Sequence, residues 1–149
     1  MAVALGFPDI LYNAPNAYVR ILERQAATQA DVVLGLFPAD RPQKVDMVDL
    51  GEGDRVRQID IKPSQTHLQY TWGVAVWTPT FTRFMHNFLA TRKKDSSHQT
   101  ELFMGHVFQA AMKDGIRVEA VSVSSQPYID IGTPEDLIRA TRSFGCSVQ

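Results

Sequence analysis

Tyr128-Ile129-Asp130-Ile131-Gly132-Thr133-Pro134-Glu135 is the stretch on which the fold turns. An apolar strand runs into a carboxylate, a glycine turn follows, and a helix opens with its cap in place. Thr133 suits the cap, Pro134 the first helical position, and Asp136 stands three residues after the threonine. Asp130 is thereby placed at the carboxyl end of a strand, where open α/β sheets bind ligands. A carboxylate there is a ligand for a divalent cation, and the neighbouring helix N-terminus favours anions. Cation and anion together suggest phosphate chemistry.

Outward from this turn, strands and helices mostly alternate. Val3-Ala4-Leu5-Gly6-Phe7, ending in Pro8-Asp9, reads as a strand buried on both faces. Asn13 and Pro15 open a helix with Ala14, Tyr18, Ile21, Leu22 and Ala26 at helical spacing, and residues 31–37 form a second doubly buried strand. This is a βαβ unit, so the two strands are expected to run parallel with a right-handed crossover. Residues 44–50 and 55–61 flank Gly51-Glu52-Gly53-Asp54 as a hairpin. Residues 70–77 are a third apolar strand. Thr78-Pro79 starts a helix carrying Phe81, Phe84, Met85, Phe88 and Leu89 on one stripe. The solvated stretch from Thr91 to Thr100 reads as a mobile loop. A helix from Glu101 to about Lys113, a strand at residues 118–123, the short strand before Gly132 and a last helix from Pro134 complete the chain. The fold class is α/β, a Rossmann-like mixed and mostly parallel sheet flanked by helices, with an inserted antiparallel hairpin.

Bulk properties narrow the function. The 149 residues fit one domain, and 44% apolar with 21% charged residues is ordinary for a globular protein. A net charge of −1 gives no pull towards nucleic acid or anionic membrane. No apolar run approaches the roughly 20 residues of a membrane span. The first residues lack a basic n-region, so no signal peptide is expected. The one cysteine, Cys146, has no basic neighbour to activate it, allows no internal disulfide, and fits a cytoplasmic protein.

The candidate site residues each carry two readings. Asp9 and Asp130 both end apolar strands. Converging, they would hold magnesium, which takes one or two carboxylates plus waters and phosphates; taken singly, each is a strand breaker or turn cap. Lys62, before Pro63, is a point charge for a sugar phosphate or a solvated lysine at a hairpin edge. Gly73, inside a strand, marks close approach by a ligand or relief of packing. Trp72 stacks on a sugar or base, or belongs to the core. Glu101 accepts from sugar hydroxyls or faces a helix dipole. His67, His86, His98 and His106 show no zinc spacing.

Taken in order, these segments resemble the sugar-phosphate nucleotidyltransferases (nucleotide-sugar pyrophosphorylases), in particular the glucose-1-phosphate thymidylyltransferase branch. Ala4-Leu5-Gly6-Phe7-Pro8-Asp9 resembles the strand ending in the first metal-binding Asp. The run from Asp54 to Pro63 resembles the segment whose lysine binds the sugar phosphate. Tyr70-Thr71-Trp72-Gly73-Val74 resembles the strand lining the sugar pocket, Glu101-Leu102-Phe103 the start of the following helix, and residues 129–135 the strand and turn with the second metal Asp. The resemblance implies that a sugar-1-phosphate oxygen attacks the α-phosphorus of a nucleoside triphosphate and pyrophosphate leaves. Asp9 and Asp130 would hold Mg2+ and Lys62 the sugar phosphate.

Departures accompany the matches. No glycine-rich loop with Arg and Lys precedes Asp9, and Phe7-Pro8 stands between Gly6 and Asp9. Ile61 occupies the place of a sugar-contacting Glu, and Thr100, not an arginine, precedes Glu101. The resemblance therefore implies a single partial nucleotidyltransferase domain over residues 1–149, lacking the nucleotide-gripping segment and with little or no turnover by itself. The alternative is a non-enzymatic sugar-phosphate-binding or regulatory module. It also implies a bare apolar edge on the first strand, expected to be covered by a second copy in a homo-oligomer.

Overall fold

The computed structural model describes residues 1–94 and 101–144. Its largest unit is a six-stranded sheet built on β6 (Tyr70–Trp77), the longest of its strands. Along one edge of β6 runs β3 (Val32–Pro38), antiparallel to it and parallel to β7 (Val118–Ser122) on its far side. The other edge of β6 is shared. β1 (Val3–Gly6) pairs with residues 74–77, while β4 (Met47–Leu50) pairs only with Thr71 and Tyr70 and hairpins onto β5 (Val56–Asp60). Trp72 and Gly73 face the gap between these two partners.

β1, β3, β4 and β7 run one way and β5 and β6 the other, so four of six strands share a direction. Because β6 lies between β1 and β3, the two strands of the βαβ unit are parallel without being neighbours.

Two apolar layers cover the sheet. Helix α1 (Ala17–Thr28) lays Ala17 and Ile21 on Val33, Phe37, Val74 and Val76. On the other face α2 (Pro79–Lys94) and α3 (Met104–Lys113) bury Phe81, Val107, Phe108 and Ala111 against Val32, Leu34, Leu36, Ala75 and Trp77. β3 divides by the period of two expected of a strand buried on both sides. β6 breaks that period. Leu36 pairs with Trp72 and Gly35 with Val74, which leaves Gly73 as the extra residue of a bulge. The bulge moves Trp72 off the face of Val74 and Val76 and onto the face of Phe108.

Three sequence expectations are corrected. The first strand is not buried on both faces: Val3 is 42% exposed, Leu5 is half-buried, and one edge of β1 meets no other strand among the described residues. The helix expected from Glu101 begins at Met104, after Phe103 N–H donates to His106 Nδ1 at 3.1 Å, and Glu101 is exposed outside it. The solvated stretch begins later than expected, since α2 continues through Lys94; its remaining residues, 95–100, and Cys146 lie outside the described residues.

The last strand, β8 (Ile129–Asp130), pairs with β2 (Ile10–Leu11) in a separate two-stranded ladder and leads into α4 (Pro134–Phe144). No helix among the described residues is long and apolar enough to cross a membrane.

Candidate functional site

The β2–β8 ladder brings Asp9 and Asp130 to one place. Ile10 pairs with Asp130, and one step further on Ile131 N–H donates to the carbonyl of Asp9 at 2.8 Å. The backbone thus fixes two acids separated by most of the sequence. Asp130 Oδ1 accepts Gly132 N–H at 2.7 Å, which closes the glycine turn. The cap read from the sequence is present: Asp136 N–H donates to Thr133 Oγ1 at 3.2 Å, and the Thr133 hydroxyl returns a bond to Asp136 Oδ2 at 3.0 Å.

Lys62 arrives from β5, two residues beyond the strand. Its backbone is left-handed, with φ +42°, a conformation that costs an ordinary side chain free energy. Its Nζ sits 3.8 Å from the centre of the Phe103 ring, within range of a cation–π contact. Lys62, Asp9 and Asp130 line the same cleft.

The cleft has two lobes, of about 460 and 260 Å³, whose walls share those three residues together with Lys44, Thr71 and Tyr128. The outer lobe adds Arg41, Asp136, Arg139 and Asp40. Arg41 Nη2 meets Asp136 Oδ1 at 2.6 Å, and Arg139 Nη1 meets Asp40 Oδ2 at 2.8 Å. The Arg41 hydrogen bond holds the Asp136 carboxyl below the usual carboxylate range, and Thr133 assists. The inner lobe is aromatic, walled by Phe7, Trp72, Phe103 and Tyr128. Trp72 is nearly buried, its ring 5.1 Å from Phe7 and 5.2 Å from Phe108. Burial first, then the charges of Asp130, Asp46 and Asp9, push the Tyr128 hydroxyl up, while a hydrogen bond with Thr71 opposes them.

Of the six residues singled out in the sequence, four line the cleft: Asp9, Lys62, Trp72 and Asp130. Gly73 lines neither lobe. A Cβ there would lie 3.0 Å from Phe37 Cε2 and 3.2 Å from Ile10 Cδ1, so of its two readings packing is the one the contacts favour. Glu101 lies outside both lobes.

Sequence reading did not single out Tyr128, Lys44, Asp46 or Arg41. Tyr128 had a signal: it stands two residues before Asp130, on the same side of an extended strand. Arg41 had none, because its partner Asp136 lies 95 residues away.

Magnesium keeps several waters and takes one or two carboxylates, and Asp9 and Asp130 are the cleft's two strand-end acids that could hold it. They do not form an all-protein cage: no cluster of three or more acidic, histidine or cysteine ligands occurs among the described residues.

The chain belongs to the nucleotidyl transferase family, whose model matches residues 4–145. In structure it is similar to a putative glucose-1-phosphate thymidylyltransferase from Bacillus anthracis, solved in complex with a sucrose. The TM-score is 0.73 at 14% identity over 99% of this chain. This chain spans 56% of that protein, about half its length. No curated protein matches in sequence.

Proposed function

We propose that the cleft receives a sugar 1-phosphate with a divalent cation, and that it serves transfer of a nucleotidyl group from a nucleoside triphosphate to that sugar phosphate with release of pyrophosphate. The observation that carries this reading is the convergence of Asp9, Asp130 and Lys62, from three separate segments, on one cleft. Asp9 and Asp130 would hold the magnesium. Bound there, the ion would offset negative charge developing on phosphate oxygens. Lys62 supplies a point charge for the acceptor phosphate, and the aromatic wall of Phe7, Trp72 and Phe103 gives the sugar a dry flank.

The resemblance assigns the grip on the triphosphate to a loop with no counterpart in these 149 residues. Weak, Mg2+-dependent dTTP binding through Asp9 and Asp130, and weak turnover, are therefore expected of this chain alone.

Calorimetry with glucose 1-phosphate, with dTTP and with both, in the presence and absence of Mg2+, tests the proposal. Glucose 1-phosphate is expected to bind, more tightly with Mg2+. Lys62→Ala should abolish most of that binding, and Asp9→Asn and Asp130→Asn should remove its Mg2+ dependence. Binding of glucose 1-phosphate without any of dTTP would assign the chain to the second reading, a sugar-phosphate-binding module. Binding of neither would refute both.

A further inference from the structure

Asp46 stands where the loop from Arg41 enters β4, and it lines the inner lobe. It is the lobe's one acid apart from Asp9 and Asp130. The Trp72 indole and the backbone N–H of Gly105, at the start of α3, lie beside its carboxylate. A Cβ on Gly105 would fall 2.5 Å from Asp46 Oδ2, so the carboxylate packs where only a glycine leaves room. The residue is half-buried, and that burial pushes its pKa up against the pull of Trp72, Lys62, His106 and Gly105.

A buried carboxylate is costly unless its acceptor sites are used. It has about four such sites, more than the single N–H each of Trp72 and Gly105 can fill. Asp46 borders a lobe of about 260 Å³ whose aromatic wall of Phe7, Trp72, Phe103 and Tyr128 stands beside the polar groups Asp9, Lys44, Lys62, Thr71 and Asp130. A few fixed polar groups on an aromatic wall are how small polar ligands are oriented. Lys62 lies at the junction of the lobes, near Asp46. A sugar whose phosphate meets Lys62 would therefore lay its ring in the inner lobe. A cationic substituent would meet the Lys62 charge there, so the matching ligand group is a neutral hydroxyl.

We propose that Asp46 reads the ring hydroxyls of the acceptor sugar, accepting hydrogen bonds from them and so setting which sugar 1-phosphate the cleft prefers. This rests on the reading of the cleft as a sugar-phosphate site. Asp46 holds the hydroxyl end and Lys62 the phosphate end.

Calorimetry on the full 149-residue chain tests this with glucose 1-phosphate, its galacto and manno epimers, its 2-, 3-, 4- and 6-deoxy analogues, and inorganic phosphate. Asp46→Asn keeps the side chain's shape and one acceptor oxygen, while Asp46→Ala removes the group; circular dichroism and urea unfolding check that each variant is folded. Glucose 1-phosphate should bind the asparagine variant roughly tenfold to a hundredfold more weakly, the range for a hydrogen bond to a charged group. At least one deoxy analogue should lose a similar factor on the parent and little further on the variant, the non-additivity expected of groups in contact. Inorganic phosphate should bind both alike. Equal ranking of the analogues by parent and variant would overturn the proposal, as would a parallel loss of phosphate binding. If the parent binds neither glucose 1-phosphate nor phosphate, the sugar-phosphate reading itself falls; if it binds them and the ranking is unchanged in the variant, only the role of Asp46 falls.

Discussion

Lys62 combines the charge proposed for the acceptor phosphate with a left-handed backbone, and two substitutions separate them. At φ +42° it occupies a region that costs a residue with a Cβ roughly 1–2 kcal/mol and costs glycine almost nothing. Lys62→Ala keeps that cost and forfeits the contact between Nζ and the Phe103 ring, about 0.5–1 kcal/mol. Lys62→Gly forfeits the same contact and relieves the backbone, but frees the unfolded chain by about 0.4–1 kcal/mol. Glycine should therefore exceed alanine by about 0.5–1 kcal/mol in urea unfolding and lie near the parent. Both variants should lose the charge-assisted bond to the acceptor phosphate, about 1.5–3 kcal/mol, or roughly tenfold to more than a hundredfold in affinity for glucose 1-phosphate. The expected pattern is one variant stable and the other weakened, with both unable to hold the ligand. An alanine variant as stable as glycine would show that the backbone stores no strain. Undiminished affinity in both would remove Lys62 from the site.

Elsewhere the buried ion network offers a pH-dependent test. Glu119 is 0% exposed, and Arg24 Nε meets its Oε2 at 2.8 Å while Arg117 pairs with its other oxygen. Burial pushes the Glu119 carboxyl up, but Arg24, Arg117 and Thr28 outweigh it and hold it below its ordinary value. Its stabilising contribution is thus present above the unfolded-state pKa and lost as pH falls through the lower folded value. Arg24→Leu should cost roughly 2–3 kcal/mol near neutral pH, discounted because Arg117 remains, and less towards pH 4; a pH-independent cost in urea titrations would contradict this. Gly73→Ala would crowd Phe37 Cε2 at 3.0 Å and Ile10 Cδ1 at 3.2 Å. A loss of about 1–3 kcal/mol is expected by thermal unfolding, together with weaker Mg2+-dependent ligand binding, because Ile10 is the residue after Asp9. Unchanged binding at reduced stability would disconnect the bulge from the site.

What the sequence disclosed is what local chemistry determines. The strand at residues 70–77 and the hairpin before it were legible because a continuous apolar run and a Gly-rich turn carry their own signals. The turn after Asp130 was legible because cap, glycine and carboxylate lie within seven residues. β1 shows the limit. Val3, Ala4 and Leu5 announce a strand suited to burial, but nothing within it says which neighbours it has, and among the described residues it pairs on one edge only. The start of α3 was misplaced for a related reason. Glu101 has the chemistry of a first-turn acid, yet the helix is closed by His106 reaching back to Phe103. Tyr128, Arg41 and Asp46 lie on the cleft through contacts with distant segments, and residue type alone does not mark them.

The cleft exists because one edge of β6 is served by two strands that never meet. β1 leaves that edge after Gly6, opposite Val74, and β4 joins it at Met47, opposite Thr71. The chain departing from β1 carries Phe7 and Asp9. The chain arriving at β4 carries Lys44 and Asp46, and β5, paired to β4, delivers Lys62. Between them the bulge at Gly73 turns Trp72 to the inner lobe, when an unbroken period would leave it with Val74 and Val76 against α1. A gap at a strand edge is normally a liability, because it leaves backbone groups without partners. Here it is the place where residues from several segments line one cleft, the same logic by which open α/β sheets bind at points where neighbouring strands diverge. Gly73, though it lines neither lobe, is therefore tied to the site through the backbone: it places the tryptophan wall and bounds the packing of Ile10, whose neighbour Asp9 is proposed to hold the metal.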